Sequence, residues 1–128
     1  MSHDPVVILS YARTPMGGFQ GDLAPVSATQ LGSAAVKAAV ERAGVQPDAI
    51  DQIYMGCVLS AGLSQAPARQ AALGAGLPLS VAATTVNKMC GSGMQAAMFA
   101  HDAIVAGSAD LVVAVSYTHL TLPTNREV

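Results

Sequence analysis

One cysteine of this chain stands where a reactive thiol would be expected. Cys90 lies in the stretch TTVNKMCGSGMQ, between an apolar β-branched run and the start of a helical pattern, with Gly91 and Gly93 on its C-terminal side. Glycines at such a junction allow a sharp turn and leave the first N–H groups of the helix open. Those donors and the helix dipole stabilise a thiolate, and they stabilise the oxygen of a carbonyl under attack. The position therefore suits acyl transfer through Cys90, whereas the alternative is a cysteine that merely packs, since Cys is often buried.

The other cysteine and the histidines do not complete a site around Cys90. Cys57 lies in the apolar run QIYMGCVLS, where a packing role is the better interpretation. A nucleophilic cysteine needs a base, normally a histidine within hydrogen-bond reach. His101 lies 11 positions along the same helical pattern, about 16 Å away at ~1.5 Å per residue, so it is predicted to be a helix residue at the edge of the buried stripe. His3 and His119 lie near the two ends of the chain.

Composition excludes several classes of protein. Hydrophobic residues make up 52% of the 128 residues and charged residues only 11%, against about 25% charged in ordinary soluble domains. The chain is therefore expected to be one domain, or part of a larger one, whose surface is covered. The net charge of -2 with scattered basic residues predicts no nucleic-acid partner, and the absence of a CxxC or Cys/His cluster predicts no metal. No apolar stretch approaches the ~20 residues of a spanning helix, and the start is unlike a signal peptide, so we expect a cytoplasmic protein without a membrane partner.

Elements alternate along the chain at distances typical of βαβ units. A first strand is predicted over Val6–Ala12, and a helix is predicted from the N-cap Ser27 to a stop at Gly44, with Gln30 completing a capping box. The pattern places four residues of this helix on one face: Leu31, Ala35, Ala38 and Ala39.

The second half of the chain continues this alternation. QIYMGCVLS is predicted as a second strand, Pro67 to Leu73 as a short helix, VAATTVN as a third strand and DLVVAV as a fourth. Between the last two, a helix beginning at Ser92 carries apolar spacing at Met94, Ala97, Met98, His101, Ile104 and Val105. Strands that are apolar throughout and separated by helices predict an α/β fold with a mostly parallel sheet.

The composition of the last 13 residues differs from that of the preceding chain. SYTHLTLPTNREV has three threonines and neither alanine nor glycine, and VSYTHLTLPT resembles the in-frame translation of a transposase adapter used in sequencing libraries. Two segments are therefore predicted: a partial domain over residues 1–115 and a non-native tail over residues 116–128.

Three motifs in order resemble the thiolase family over residues 5–115. ARTPMGGFQGDL resembles its N-terminal motif, GCVLSAGLSQAPARQAALGAGLP its glycine-rich stretch and following helix, and TTVNKMCGSGMQA its acyl-enzyme signature. The resemblance implies the first part of a thiolase-like layered N-terminal domain, in which Cys90 takes the acyl group from acyl-CoA as a thioester and its N–H contributes to an oxyanion hole. Within the glycine-rich stretch, Ser64 and Pro67 depart from common family residues.

The resemblance also implies that most of the site lies elsewhere. The family's histidine in an HGG-type motif, its second cysteine in a CxGGG-type motif and its CoA-binding loop domain are missing from this sequence. Arg69 and Gln70 either face the site or begin a helix, with the structural role favoured, and Lys88 and Ser92 are interpreted as surface and turn residues.

The activity that the resemblance implies is that of an acetyl-CoA C-acetyltransferase forming or cleaving acetoacetyl-CoA. The substrate is a CoA thioester, so no cofactor is expected, and the full protein is expected to be a homodimer or homotetramer. The alternatives are a 3-ketoacyl-CoA thiolase for longer chains and a non-catalytic scaffold with the same fold. The chain by itself is predicted to be inactive.

Overall fold

A computed structural model describes residues 5–117 of the chain. Over that range, helices and strands alternate in the order α1 (Ala28–Ala43), a 3-10 helix (Pro47–Ala49), β1 (Gln52–Gly56), α2 (Pro67–Gly74), β2 (Ala82–Val86), α3 (Ser92–Val105) and β3 (Val112–Ser116). Most of the predicted tail, residues 118–128, lies outside the described residues, and the boundary after Val115 stays a prediction.

The three strands form a parallel sheet in the order β2-β1-β3. Gln52, at the start of β1, pairs with Ala82 on one side and with Val112 on the other. β1 is the central strand, and Ile53 and Met55 within it are fully buried. Parallel neighbours require crossover connections, and the helices provide them. The α/β class and the mostly parallel sheet predicted from the sequence are confirmed.

Helices cover both faces of this sheet. Successive residues of a strand point to opposite faces, and Met55 lies against α1 at Gly32, whereas Tyr54 makes an edge-to-face contact with Phe99 of α3, the ring centroids being 5.8 Å apart. α1 and α2 pack together on the first face, where the buried core includes Val36, Ile53, Ala68 and Ala71. The fold therefore has three layers: α1 and α2 on the first face, the sheet in the middle, and α3 on the opposite face.

Helix α1 begins and ends as its sequence predicts. The Ser27 hydroxyl accepts the Gln30 N–H at 3.2 Å, and the Gln30 side chain accepts the Ser27 N–H at 2.9 Å, which completes the capping box. The helix ends at Gly44 in the left-handed conformation. The predicted face was wrong by one residue, because the buried positions are Ala28, Gly32, Val36 and Val40, and the predicted set is only half-buried.

The predicted buried stripe of α3 is also wrong. Ser92, Ala96 and Ala100 face the sheet, whereas Met94 and Met98 are 70% and 51% exposed. The reason is the close approach of the helix to β1, which leaves room only for small side chains. Apolar periodicity did not distinguish the two faces, because this helix carries apolar residues almost all round.

The first predicted strand does not join the sheet. Residues 6–12 lie along α1, where the Ser10 hydroxyl donates to the Ala39 carbonyl at 2.6 Å and Arg42 donates to the Tyr11 carbonyl at 3.0 Å. Ile8 is 89% exposed. Strand formation requires a hydrogen-bonded neighbour, and within residues 5–117 this segment has a helix for a neighbour instead. Apolar composition alone therefore gave the wrong prediction.

Candidate functional site: the turn from β2 into α3

The turn that carries Cys90 connects β2 to α3 in five residues, 87–91. Gly91 donates its N–H to the Lys88 carbonyl at 3.0 Å, and Ser92 donates its N–H to the Met89 carbonyl at 3.1 Å. The sharp bend occurs at Met89, whose φ is +49°, and Gly91 has an ordinary negative φ of -88°. The turn is as tight as predicted, but a non-glycine residue provides the left-handed conformation.

Side chains anchor this strained residue from both sides. The Asn87 amide oxygen accepts the Met89 N–H at 3.1 Å, and the Ser92 hydroxyl donates to the Met89 carbonyl at 2.6 Å. Asn87 also donates to the Val58 carbonyl at 3.4 Å, which connects the turn to the loop after β1. The carboxyl ends of β1 and β2 are therefore held together beside Cys90.

Cys90 itself is exposed at the N-terminal end of α3. No side chain caps this helix, and its first turn contains no acidic residue. The positive end of the helix dipole lies at this turn and favours a group that gains negative charge there, such as the oxygen of a carbonyl under attack. This arrangement is chemically suited to nucleophilic attack by Cys90 on a carbonyl.

Cys57 has the opposite environment. It lies one residue beyond β1, not inside the strand as predicted, and is 3% exposed. Its N–H donates to the Val86 carbonyl at 2.9 Å. Burial raises the pKa of the Cys57 thiol, so this side chain stays neutral near pH 7 and packs in the core, as the sequence indicated.

Arg69 and Gln70 hold loops in place. Arg69 donates to the Val81 carbonyl at 2.7 Å and to the Leu79 carbonyl at 2.9 Å. Gln70 donates to the carbonyls of Leu63 and Gln65, each at 2.6 Å. Both side chains are therefore committed to backbone carbonyls, in agreement with the structural role favoured from the sequence.

Potential acid-base groups near Cys90 are few among the described residues. Lys88 donates to the Gln95 amide oxygen at 2.8 Å on the surface. His101 is exposed and contacts the neighbouring Asp102 carboxylate at 3.2 Å, well along α3 from the turn. The part of the chain described by the structure also contains no group of three or more His, Cys, Asp or Glu residues suited to holding a metal ion.

Ser92 has a larger part in this turn than the sequence indicated. The sequence placed it as a turn residue, and the structure agrees, but its hydroxyl is buried and forms two hydrogen bonds to the backbone before Cys90. Only its position two residues after the cysteine, at a helix start where serine commonly bonds to local backbone, could have signalled this.

Comparison with known proteins agrees with the geometry. The family model described as "Thiolase, N-terminal domain" matches residues 6–127. The chain belongs to the thiolase family, as part of its N-terminal domain. Among solved structures, it is similar to the Acat5 thiolase from Ascaris suum in complex with coenzyme A, with a TM-score of 0.85 and 38% identity, over 91% of this chain and 31% of that one.

Curated relatives point in the same direction. The cytosolic acetyl-CoA acetyltransferase ERG10 of Gibberella zeae is 56% identical over 110 residues, covering 86% of this chain and 28% of the relative. The acetyl-CoA acetyltransferase of Cupriavidus necator is 56% identical over 109 residues, with 85% and 28% covered. Mitochondrial acetyl-CoA acetyltransferase B of Xenopus laevis is 55% identical, with 85% and 26% covered. The chain thus spans little more than a quarter of the relatives that it matches.

Proposed function

We propose that this chain provides the nucleophile of an acetyl-CoA acetyltransferase, with Cys90 as the acyl-accepting residue. The observation that carries the proposal is the exposed Cys90 at the uncapped start of α3, in contrast with the buried and neutral Cys57. The acetyl group is preferred over longer chains because the curated relatives named above are acetyl-CoA acetyltransferases.

The proposed reaction proceeds in two halves. The Cys90 thiolate attacks the thioester carbonyl of one acyl-CoA, the carbonyl oxygen becomes an oxyanion beside the open N–H groups, and the C–S bond to CoA breaks. CoA leaves as a thiolate and takes a proton. A base from elsewhere in the full-length protein takes a proton from the α-carbon of a second acetyl-CoA, and the resulting carbanion attacks the carbonyl of the Cys90 thioester, forms the new C–C bond and expels the Cys90 thiolate. The thioester itself activates the acyl group, so the proposal includes no cofactor.

This chain holds only one part of that apparatus. Neither an HGG-type nor a CxGGG-type motif occurs in its sequence, and His101 lies too far along α3 to serve Cys90 as a base. Loss of a positioned general base typically lowers a rate by a factor of about 10² to 10⁴. We therefore infer that the 128-residue chain does not turn over by itself.

The test of the proposed function uses the full-length thiolase that contains this domain, with acetoacetyl-CoA and CoA as substrates. Cys90→Ser is expected to abolish thiolysis, because a serine hydroxyl is not ionised near pH 7. Cys57→Ala is the control, because it removes the other thiol and lies in the core. Thiolysis retained by Cys90→Ser would reject the nucleophile assignment.

We further propose a cytoplasmic protein that acts in acetyl-CoA and fatty-acid metabolism. Within residues 5–117, no helix has the length and apolar character needed to cross a membrane, and the relatives include both cytosolic and mitochondrial enzymes. Cell fractionation followed by immunoblotting of each fraction separates the two locations. Recovery of the protein with mitochondria would contradict this assignment.

The same proposal includes a homodimer or homotetramer. Its support is the low charge of the chain and the exposed apolar side chains of α3, Met94, Met98 and Phe99, which a partner surface would cover. Size-exclusion chromatography followed by light scattering measures the mass of the full-length enzyme in solution. A monomeric mass would refute the proposed homodimer or homotetramer.

We also propose that the last 13 residues, 116–128, are a non-native tail. Its support is the resemblance of VSYTHLTLPT to a translated adapter and the abrupt change of composition. Amplification of the gene across the codon for Val115 from source DNA tests it. A natural reading frame that encodes the same 13 residues would overturn it.

A further inference from the structure

The hydroxyl of Ser92 closes the turn around Cys90. The Lys88 N–H donates to the Ser92 oxygen at 2.9 Å, and the same hydroxyl donates to the Met89 carbonyl at 2.6 Å. The donor and an acceptor site of this hydroxyl are therefore both used. Because Lys88 and Met89 precede Cys90 and Ser92 follows it, one side chain ties together the backbone on both sides of the cysteine.

The surroundings of Ser92 fix the position of this hydroxyl. The residue is 2% exposed, and β1 lies so close that a Cβ built on Gly56 would stand 2.8 Å from the Ser92 Cβ. A side chain wedged in this way has little freedom to choose another rotamer. The hydroxyl is therefore a fixed point on the sheet from which the turn is held.

What this hydroxyl holds is a strained segment. Met89 has a φ of +49°, a conformation that is unfavourable for a residue with a side chain and persists only where its surroundings impose it. Without the Ser92 hydroxyl, the Lys88 N–H loses its partner and the Met89 carbonyl keeps only the Ser92 N–H. The turn is then free to relax, and Cys90 moves with it.

We propose that Ser92 is a positioning residue, whose hydroxyl fixes the backbone that carries Cys90 at the start of α3. This inference rests on the proposed role of Cys90. A nucleophile reacts fast only while it is held in the geometry of attack, so a relaxed turn makes Cys90 less reactive without removing any group that touches the substrate.

The experiment measures alkylation of Cys90 by iodoacetamide at pH 7 in the full-length thiolase that contains this domain, and peptide mapping assigns the label. Ser92→Ala removes both hydrogen bonds of the Ser92 hydroxyl and is expected to slow alkylation at least about fivefold, the factor that corresponds to the net strength of one ordinary hydrogen bond. An unchanged rate in Ser92→Ala overturns the proposal.

A matched control separates positioning from general stability. The Ser33 hydroxyl also bonds to the backbone, sharing its one hydrogen between the carbonyls of Thr29 at 2.8 Å and Ala71 at 3.1 Å, far from the turn. Ser33→Ala is expected to lower the melting temperature while Cys90 alkylation stays at the wild-type rate. If Ser33→Ala slows alkylation as much as Ser92→Ala does, the effect is one of stability and the proposal is wrong.

Further results of this experiment distinguish the positioning role of Ser92 from the proposed function of Cys90. If Ser92→Ala does not fold, Ser92→Cys replaces it, because a side chain of similar size with weaker hydrogen bonds is also expected to slow the labelling of Cys90, and an unchanged rate refutes the proposal. If wild-type Cys90 reacts no faster than a thiol in an unstructured peptide, the proposed function and this inference fail together. A fast wild type with an unaffected Ser92→Ala rejects the positioning role alone.

Discussion

At the scale of single residues, the two cysteines show how position determines chemistry. Cys90 is exposed at a helix start, and Cys57 is buried beside the central strand. The two side chains are the same, but burial raises the pKa of the Cys57 thiol and keeps it from solvent, whereas Cys90 is open to reagents. The same principle applies to carboxylates, and Asp51 is the clearest example in this chain.

Asp51 gives a prediction about pH. Its carboxylate accepts the N–H groups of Asp110 at 2.7 Å and Leu111 at 3.0 Å, ahead of β3. The bonds from Leu111 and then Asp110 lower the pKa of Asp51. Since the folded pKa lies below the unfolded one, the stabilisation is present above about pH 4 and is lost as the pH falls through the folded pKa.

The measurement is the melting temperature of the full-length thiolase that contains this domain, taken between pH 2 and pH 7. Wild type is expected to lose stability on acidification, and Asp51→Asn is expected to lack that part of the pH dependence. Asp48→Asn, at an exposed carboxylate on the 3-10 helix before β1, is the control. If the melting temperatures of wild type and Asp51→Asn change in parallel with pH, the stabilising role of the Asp51 carboxylate is contradicted.

At the scale of elements, close packing of α3 on the sheet determines where the turn stands. The helix contacts both β1 and β3, and small residues at Ala96 and Ala100 allow the approach. At its N-terminal end the contact is between Ser92 and Gly56, where no side chain fits. The position of the cysteine therefore depends on a glycine in a different strand.

Gly56→Ala tests this dependence. The added Cβ would lie 2.8 Å from both the Ser92 backbone carbon and the Ser92 Cβ, so the helix start must shift. We expect a loss of about 1 to 3 kcal/mol in the free energy of unfolding, the usual cost of overpacking. Urea denaturation measures it. Gly18→Ala, where a Cβ meets nothing within 4 Å, is the control, and equal stability of the two variants would contradict this packing argument.

The capping box of α1 gives a second test at this scale. Ser27→Ala removes the acceptor of the Gln30 N–H, and we expect a loss of about 1 kcal/mol in the free energy of unfolding. Ser60→Ala, at an exposed loop serine outside the helices and strands, is the control. An unfolding midpoint in urea that is the same for both variants would be inconsistent with a functioning cap.

At the scale of the whole molecule, the described residues leave much apolar surface uncovered. Ile8, Leu79 and Met94 are 89%, 78% and 70% exposed, and the three-stranded sheet has edge strands on both sides. Exposed apolar patches and open edges favour association. The isolated chain is therefore expected to associate or precipitate at micromolar concentration, and dynamic light scattering measures this. A monodisperse monomer with a cooperative melt would show that expectation to be wrong.

Local signals in the sequence predicted well what local physics determines. The capping box at Ser27 and Gln30, the start of α3 at Ser92 and the strand-to-helix placement of Cys90 depend on residues close in sequence, and the structure shows each of them. The buried face of α3 was not predictable from periodicity, because methionine and alanine are both apolar and the close approach of the helix to the sheet, which admits only small side chains, depends on residues distant in sequence. The strand predicted over residues 6–12 was wrong for a related reason, since strand pairing depends on a neighbour that is distant in sequence. The left-handed conformation of Met89 had no signal in the residue type, because methionine rarely adopts it, although the side chains that hold it, Asn87 and Ser92, are close in sequence.

The most direct test of the central claim, that Cys90 accepts the acyl group, is to trap the acyl-enzyme. Full-length thiolase containing this domain is mixed with radiolabelled acetyl-CoA, quenched in acid and digested, and the peptides are identified by mass spectrometry. We expect one labelled peptide, acetylated at Cys90, in the wild-type enzyme and no labelled peptide in Cys90→Ser. Label on Cys57 or on any other residue, with Cys90 unmodified, would contradict it.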